Sequence, residues 1–162
     1  GTCVALSCAG HTAGVLLQGA SGSGKSSLAL RLIDQAGFGA GSTAPVIATL
    51  VSDDQVLLEE LDGVLTATAP PAIRGMLEVR GIGIIKVATM QETASVEMVI
   101  AHATPSDIDR TPEPQVIELA GLTLPLHYID FSGQSSAALV RSLALVHWGL
   151  TDLEPSSASF FA

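Results

Sequence analysis

Apolar residues along this chain come in short runs, and the period of the runs changes from one to the next. CVALS (3–7) and GVLLQ (14–18) are compact apolar stretches separated by the turn-like CAGHTA, which predicts a β-hairpin. In SSLALRLIDQA (26–36) the period lengthens. Leu28, Leu32 and Ile33 fall on one side of a helix, with Gly37 as its C′ residue. FGAGSTAP is a loop, and VIATLV (46–51) is a buried strand ending at Ser52-Asp53-Asp54. QVLLEEL and GVLTATA form a second predicted hairpin, turned at Asp62-Gly63. Pro70-Pro71 breaks the chain. AIRGMLEVRGIGIIKV (72–87) is apolar but interrupted by Gly75, Gly81 and Gly83, and its close (84–87) reads as a strand. MQETAS reads as a mobile loop, SVEMVIAHA (95–103) as a strand and TPSDIDRTPEP as irregular chain. QVIEL and LTLPLHYI are strands around a Gly121 turn. SSAALVRSLALVHWG (135–149) is a helix with Leu139, Leu143 and Val146 in register and Gly149 as its terminator. The class is α/β, with more strands than a simple doubly wound sheet needs. One domain is expected over 1–150, with a frayed or docked tail at 151–162.

Composition adds three constraints. Apolar residues make up 48% of 162 and mean hydropathy is +0.48, which supports a packed core, although aromatics are only 4%. Leu, Val, Ile and Ala must therefore fill that core. Charged residues are 14%, well under the usual quarter, so much of the surface is small and neutral and suits burial in an oligomer. The net charge is -9, and the seven cations (Lys25, Arg31, Arg74, Arg80, Lys86, Arg110 and Arg141) form no basic run. That argues against nucleic acid and against anionic membranes as partners. No apolar run reaches transmembrane length, and the expected location is the cytoplasm. Cys3 and Cys8 lie in no CxxC and read as reduced core or hairpin residues.

Directly after the second strand, Gly19-Ala20-Ser21-Gly22-Ser23-Gly24-Lys25-Ser26 matches G-x-x-x-x-G-K-S/T in full. Glycines let backbone N–H groups turn toward phosphate oxygens, Lys25 reaches the β and γ phosphates, and Ser26 suits Mg²⁺. The helix N-terminus adds a favourable dipole. A P-loop identifies a nucleotide or polyphosphate and leaves the acceptor open. Asp53 and Asp54 follow an apolar strand, where such proteins carry a metal-directing or base carboxylate. Adjacent strand residues point to opposite faces, so only one of the two is expected to face the γ-phosphate. Glu78, Arg80 and the glycines break a stretch that a plain core strand would leave apolar; a site for Mg²⁺ and phosphate accounts for them.

LEVRGIGII resembles the signature of the HPr kinase/phosphorylase family, whose members carry a P-loop, an Asp-Asp pair and Glu-x-Arg-Gly-x-Gly-Ile-Ile in that order. Asp109-Arg110 resembles a later pair in the same family, and the likeness spans roughly residues 1–149. It implies the P-loop kinase fold of the HPr kinase and phosphoenolpyruvate carboxykinase type, a mixed sheet with flanking helices. It implies an ATP- and Mg²⁺-dependent serine kinase acting on HPr, the phosphocarrier of the phosphotransferase system, with pyrophosphate as an alternative donor. Reversal by phosphorolysis, regulation of carbon and nitrogen metabolism, and a hexamer are implied with it. The chain is similar to the short forms from alphaproteobacteria, which lack the N-terminal domain of many members.

Residue by residue, the resemblance places Gly19 to Ser26, with Ser27 beside them, around the nucleotide phosphates. It makes Asp53 the base for the serine proton and Asp54 its support or that of the metal. Glu78 joins Ser26 on Mg²⁺, and Arg80 and Arg110 face phosphate oxygens or position the base. There are departures. Ser27 stands where the family is acidic, the family's active-site histidine falls just before Gly1, and MQETAS is short for the family's mobile loop. The last bears on phosphorolysis more than on the kinase reaction. His11, His102, His127 and His147 read as structural. Two other functions stay open: a small-molecule P-loop kinase, although no Arg-rich lid is visible, and a nucleotide sensor that binds ATP without transferring phosphate.

Overall fold

The structure is a computed structural model and describes residues 1–152; most of the expected tail lies outside the described residues. Ten strands and two α-helices form among the described residues. They are β1 (Thr2–Cys8), β2 (His11–Gln18), α1 (Lys25–Asp34), β3 (Ile47–Ser52), β4 (Leu57–Leu61), β5 (Val64–Thr68), β6 (Met76–Val79), β7 (Gly83–Lys86), β8 (Thr93–His102), β9 (Gln115–Leu119), β10 (Leu122–Ile129) and α2 (Ser136–His147). The main sheet runs β3-β1-β2-β8-β10-β9, and the β4–β5 hairpin joins it through β8. β6 and β7 pair separately as a small hairpin.

Alternation along the central strands explains their unbroken apolar runs. Val4 and Leu6 of β1 face one side with Leu28, Ala29 and Leu32 of α1 and Val140, Ala144 and Leu145 of α2. Cys3 and Ala5 face the other side with Leu65 and Ala67 of β5. Both faces of these strands are covered, so their middle residues are apolar on both sides. The two cysteines are buried and unpaired, and burial pushes the Cys3 thiol up to about 12. No helix among the described residues is long and apolar enough to cross a membrane.

Strand direction positions the site. β2 runs parallel to β8, and β8 to β10, while β1 is antiparallel to both β2 and β3. The carboxyl ends of β2, β3, β8 and β10 therefore share one edge of the sheet, where open α/β sheets bind ligands. The loops leaving that edge begin at Gly19, Asp53, Ala103 and Asp130.

Several local expectations change. Gly37 is not the C′ residue of α1, which ends at Asp34 with Gln35 already extended. Gly37 instead pairs with Val46, and the Arg141 guanidinium packs where a Cβ would stand. The face of α2 that enters the core carries Ser136, Val140, Arg141, Ala144 and Leu145, while Leu139 is exposed. On that face Val140, Ala144 and Leu145 enter the core beside Arg141, which donates to the Gln35 carbonyl at the end of α1. MQETAS is partly strand, because β8 starts at Thr93, and the Gln91 N–H donates to the Leu50 carbonyl at 2.8 Å. The glycine-interrupted stretch holds two strands rather than one.

Burial, and after it the neighbouring His147, hold the His127 imidazole below the ordinary histidine range. The folded state therefore favours neutral His127, and the unfolded chain takes up the proton first as pH falls through about 6.5. Stability should drop on acidification, and His127→Gln should remove part of the drop. Thermal melts of both proteins at about pH 8 and about pH 5.5 measure this, and identical losses would contradict it.

Candidate active site

The P-loop spans the gap between β2 and α1. Gly24 is the N-cap of α1 at φ 99°, a conformation that a side chain strains, and its carbonyl accepts the Leu28 N–H at 2.9 Å. At Gly19 a Cβ would come within 2.5 Å of Ser23 Oγ and 3.1 Å of the His102 Cβ. Only glycine lets β2 leave the sheet directly beneath the loop. Arg31 on α1 donates to the Phe131 and Gly133 carbonyls, at 2.5 and 3.1 Å, and fastens the helix to the loop after β10.

An open pocket of about 630 Å³ lies over this loop. Gly19, Ser21, Gly22, Gly24, Lys25, Ser26 and Ser27 form its floor, and Asp54, Glu78, Val79 and Arg80 form its walls. The Lys25 ammonium donates to the Gly19 and Ala20 carbonyls at 2.7 and 2.9 Å, so it sits at the mouth of the loop. Arg80 reaches across from the β6–β7 hairpin: its Nη2 lies 4.0 Å from where a Gly22 Cβ would be. Two cations thus converge on one pocket in a chain of net charge -9.

Asp53 sits immediately behind the floor. It is 4% exposed, and three donors reach its carboxylate. Ser26 Oγ and Thr2 Oγ1 both donate to Oδ1 at 2.8 Å, and the Glu78 N–H donates to Oδ2 at 3.1 Å. Asp54 is exposed with φ 65° and lines the wall. The two aspartates do diverge, but not by strand pleat, because β3 ends at Ser52. The left-handed turn at Asp54 separates them.

Most of the sequence-predicted site residues come together here. Ser23 and Ala20 belong to the loop but do not line the pocket, and Ser23 Oγ is buried without a hydrogen-bond partner. Arg110 is not brought in. It is exposed in the segment between β8 and β9, outside the pocket lining, with no side-chain hydrogen bond or ion pair among the described residues. Thr2, fully buried at the head of β1, was missed by the sequence reading. A hydroxyl heading an apolar strand was the one available signal. His102 accepts the Phe131 N–H at 3.2 Å, which fits its structural reading. At the fourth loop, the hydroxyl and N–H of Ser132 hold the Asp130 carboxyl below the usual carboxylate range.

The donor set suits a divalent cation carried with phosphate. Ser26 Oγ and the Glu78 carboxylate are hard oxygen donors on the same pocket as Lys25 and the P-loop, and Mg²⁺ characteristically takes one or two protein oxygens with substrate phosphates.

Residues 4–144 match the family described as the HPr Serine kinase C-terminal domain. The chain belongs to that family. The HPr kinase/phosphorylase of Clostridium novyi (strain NT) is 43% identical over 83 residues, 51% of this chain and 24% of that protein. The HPr kinase/phosphorylase of Exiguobacterium sibiricum is 29% identical over 160 residues, 92% of this chain and 48% of that protein. The alignments thus span half or less of the length of these curated relatives. A solved structure of the HPr(Ser) kinase/phosphatase from Coxiella burnetii superposes with a TM-score of 0.72, covering 93% of this chain and 96% of that one. At 23% identity it shows a common fold. The mixed sheet with its flanking helices is therefore the HPr kinase fold that the sequence resemblance implied.

Glu78→Gln should raise the Mg²⁺ concentration needed for half-maximal nucleotide turnover by about tenfold or more while sparing metal-free nucleotide binding. Turnover measured across a MgCl₂ series checks this; an unchanged series removes Glu78 from the metal site.

Proposed function

We propose that this chain is an ATP-dependent kinase that phosphorylates a serine of an HPr-type phosphocarrier. The observation that carries the reading is the Ser26–Asp53 hydrogen bond beneath a complete P-loop, with Glu78 and Arg80 facing that loop across one pocket. Family membership supports HPr as the acceptor, since the relatives it matches carry the name HPr kinase/phosphorylase. Reverse phosphorolysis, and with it control of the phosphotransferase system and of carbon and nitrogen metabolism, belongs to the same reading. Cytoplasmic residence does as well.

Phosphoryl transfer requires positioning and charge neutralisation more than covalent help from the protein. The P-loop N–H groups and Lys25 hold the β and γ phosphates, and Arg80 balances charge from the opposite wall. Mg²⁺, held by Ser26 and Glu78, adds charge neutralisation when bound. The serine oxygen forms its bond to the γ-phosphorus as the bridging oxygen leaves with ADP. Asp53 takes the serine proton, using the acceptor capacity that its three donors leave on Oδ2. A second reading has one observation in its favour: Asp54 lines the pocket and Asp53 does not, which suits Asp54 as the proton acceptor. Arg110, outside the pocket lining, has no part in this scheme.

Single-turnover phosphorylation of purified HPr, followed by intact mass, tests the whole scheme. Asp53→Asn should keep metal-free ATP binding and lose about 10²–10⁴-fold in transfer, the usual scale for a missing base. Asp54→Asn should cost less. The reverse order with folding intact makes Asp54 the base. A protein that binds ATP and leaves HPr unmodified is a sensor or a small-molecule kinase.

The chain is also proposed to assemble as a hexamer, given its low surface charge and the exposed Leu139 on α2. Light scattering over a wide concentration range should show an oligomer, and a monomer throughout would contradict it.

A further inference from the structure

Thr2 has no role in the scheme above, yet its hydroxyl has the same destination as that of Ser26. Thr2 is fully buried on β1, paired with Leu17 just before the P-loop. Its Oγ1 donates to Asp53 Oδ1 at 2.8 Å, the oxygen that also takes the Ser26 hydroxyl at 2.8 Å. The remaining oxygen, Oδ2, takes the Glu78 N–H at 3.1 Å. A carboxylate oxygen offers about two lone-pair positions, so two donors saturate Oδ1. Three donors from three separate segments then define the plane of one side chain.

We propose that Thr2 is a positioning residue for the divalent-metal site, acting through Asp53 on Ser26 and Glu78. The Ser26 proton is committed to Oδ1, which leaves the Ser26 lone pairs for a hard cation in the pocket. That commitment depends on the carboxylate holding its orientation. The Cβ–Cγ torsion of an aspartate is broad and roughly two-fold, so it holds a single setting only where its partners impose one. Without the Thr2 hydroxyl, Oδ1 keeps a single donor, and the carboxylate is free to turn away from Ser26. The Glu78 backbone, fixed to Oδ2, then loses its reference as well. Thr2 does not line the pocket and cannot touch a phosphate, so its influence passes entirely through Asp53. The inference rests on the reading of the pocket as a magnesium–nucleotide site.

The test is calorimetric and independent of turnover. ATP is titrated into the protein without metal, and MgCl₂ is then titrated at fixed ATP. Thr2→Val keeps the side-chain shape and removes the donor. It should leave metal-free ATP binding unchanged and raise the Mg²⁺ half-saturation by about 10–100-fold, the scale for loss of an outer-shell partner. Thr2→Ser restores the hydroxyl and should return the Mg²⁺ response to wild type. An unshifted Thr2→Val curve overturns the proposal, as does a Thr2→Ser protein equally impaired, since packing of the methyl group would then be the cause. If Thr2→Val does not fold, Thr2→Cys takes its place: a thiol of similar size is only a weak donor and should shift the curve in the same direction. A Thr2→Cys curve like wild type overturns the proposal. Wild-type ATP binding indifferent to Mg²⁺ overturns the magnesium–nucleotide reading itself, and the role of Thr2 with it.

Discussion

The carboxylate of Asp53 is the point at which the sheet, the P-loop helix and the signature hairpin meet. A carboxylate that is 4% exposed must find donors or shed its charge. Here the donors come from β1, from the first turn of α1 and from β6. Each has its own reason to be nearby. β1 is hydrogen-bonded to β3, α1 packs over the same strands, and the Leu77 side chain of β6 is fully buried in the helix-side core. Hydrophobic burial brings these elements to the edge without specifying orientation. The three hydrogen bonds to Asp53 supply the orientation, and so determine where Ser26 and Glu78 stand on the pocket.

The same economy governs charge. Of the seven cations in the chain, Lys25 and Arg80 face the pocket, where they stand beside the carboxylates of Asp54 and Glu78. The remaining well-fixed cations serve the scaffold. Arg31 ties α1 to the loop after β10, and Arg141 ties α2 to the end of α1. Burial holds the Arg141 pKa below the usual arginine range, as expected for a guanidinium placed in the core to satisfy a helix terminus.

Local signals were legible where a short-range rule produced them. The hairpin turns are one case: Asp62-Gly63 and Ala120-Gly121 both have positive φ at each position, as tight two-residue turns require. The P-loop is another, because its glycines answer to the geometry of phosphate itself. The two aspartates were legible as a pair but not as individuals. Their division follows from a left-handed residue after the strand, and an aspartate adopts that conformation without any pattern to announce it. Arg110 carried a family likeness in its neighbours' identities, yet it is exposed and outside the pocket lining.

By itself the sequence determined that a phosphate cradle follows the first hairpin and that a helix follows the cradle. These are properties of adjacent residues, set by backbone sterics and by the donors a phosphate needs. Tertiary structure alone decided which face of α2 enters the core, because Val140, Ala144 and Leu145 pack against residues of β1, β2 and α1 that are distant in sequence. It also decided that Thr2 shares an oxygen with Ser26, a contact between residues 51 and 27 positions from Asp53. Such a contact exists only once β1, β3 and α1 have packed, because no local rule relates a hydroxyl at the start of a chain to a carboxylate two strands away.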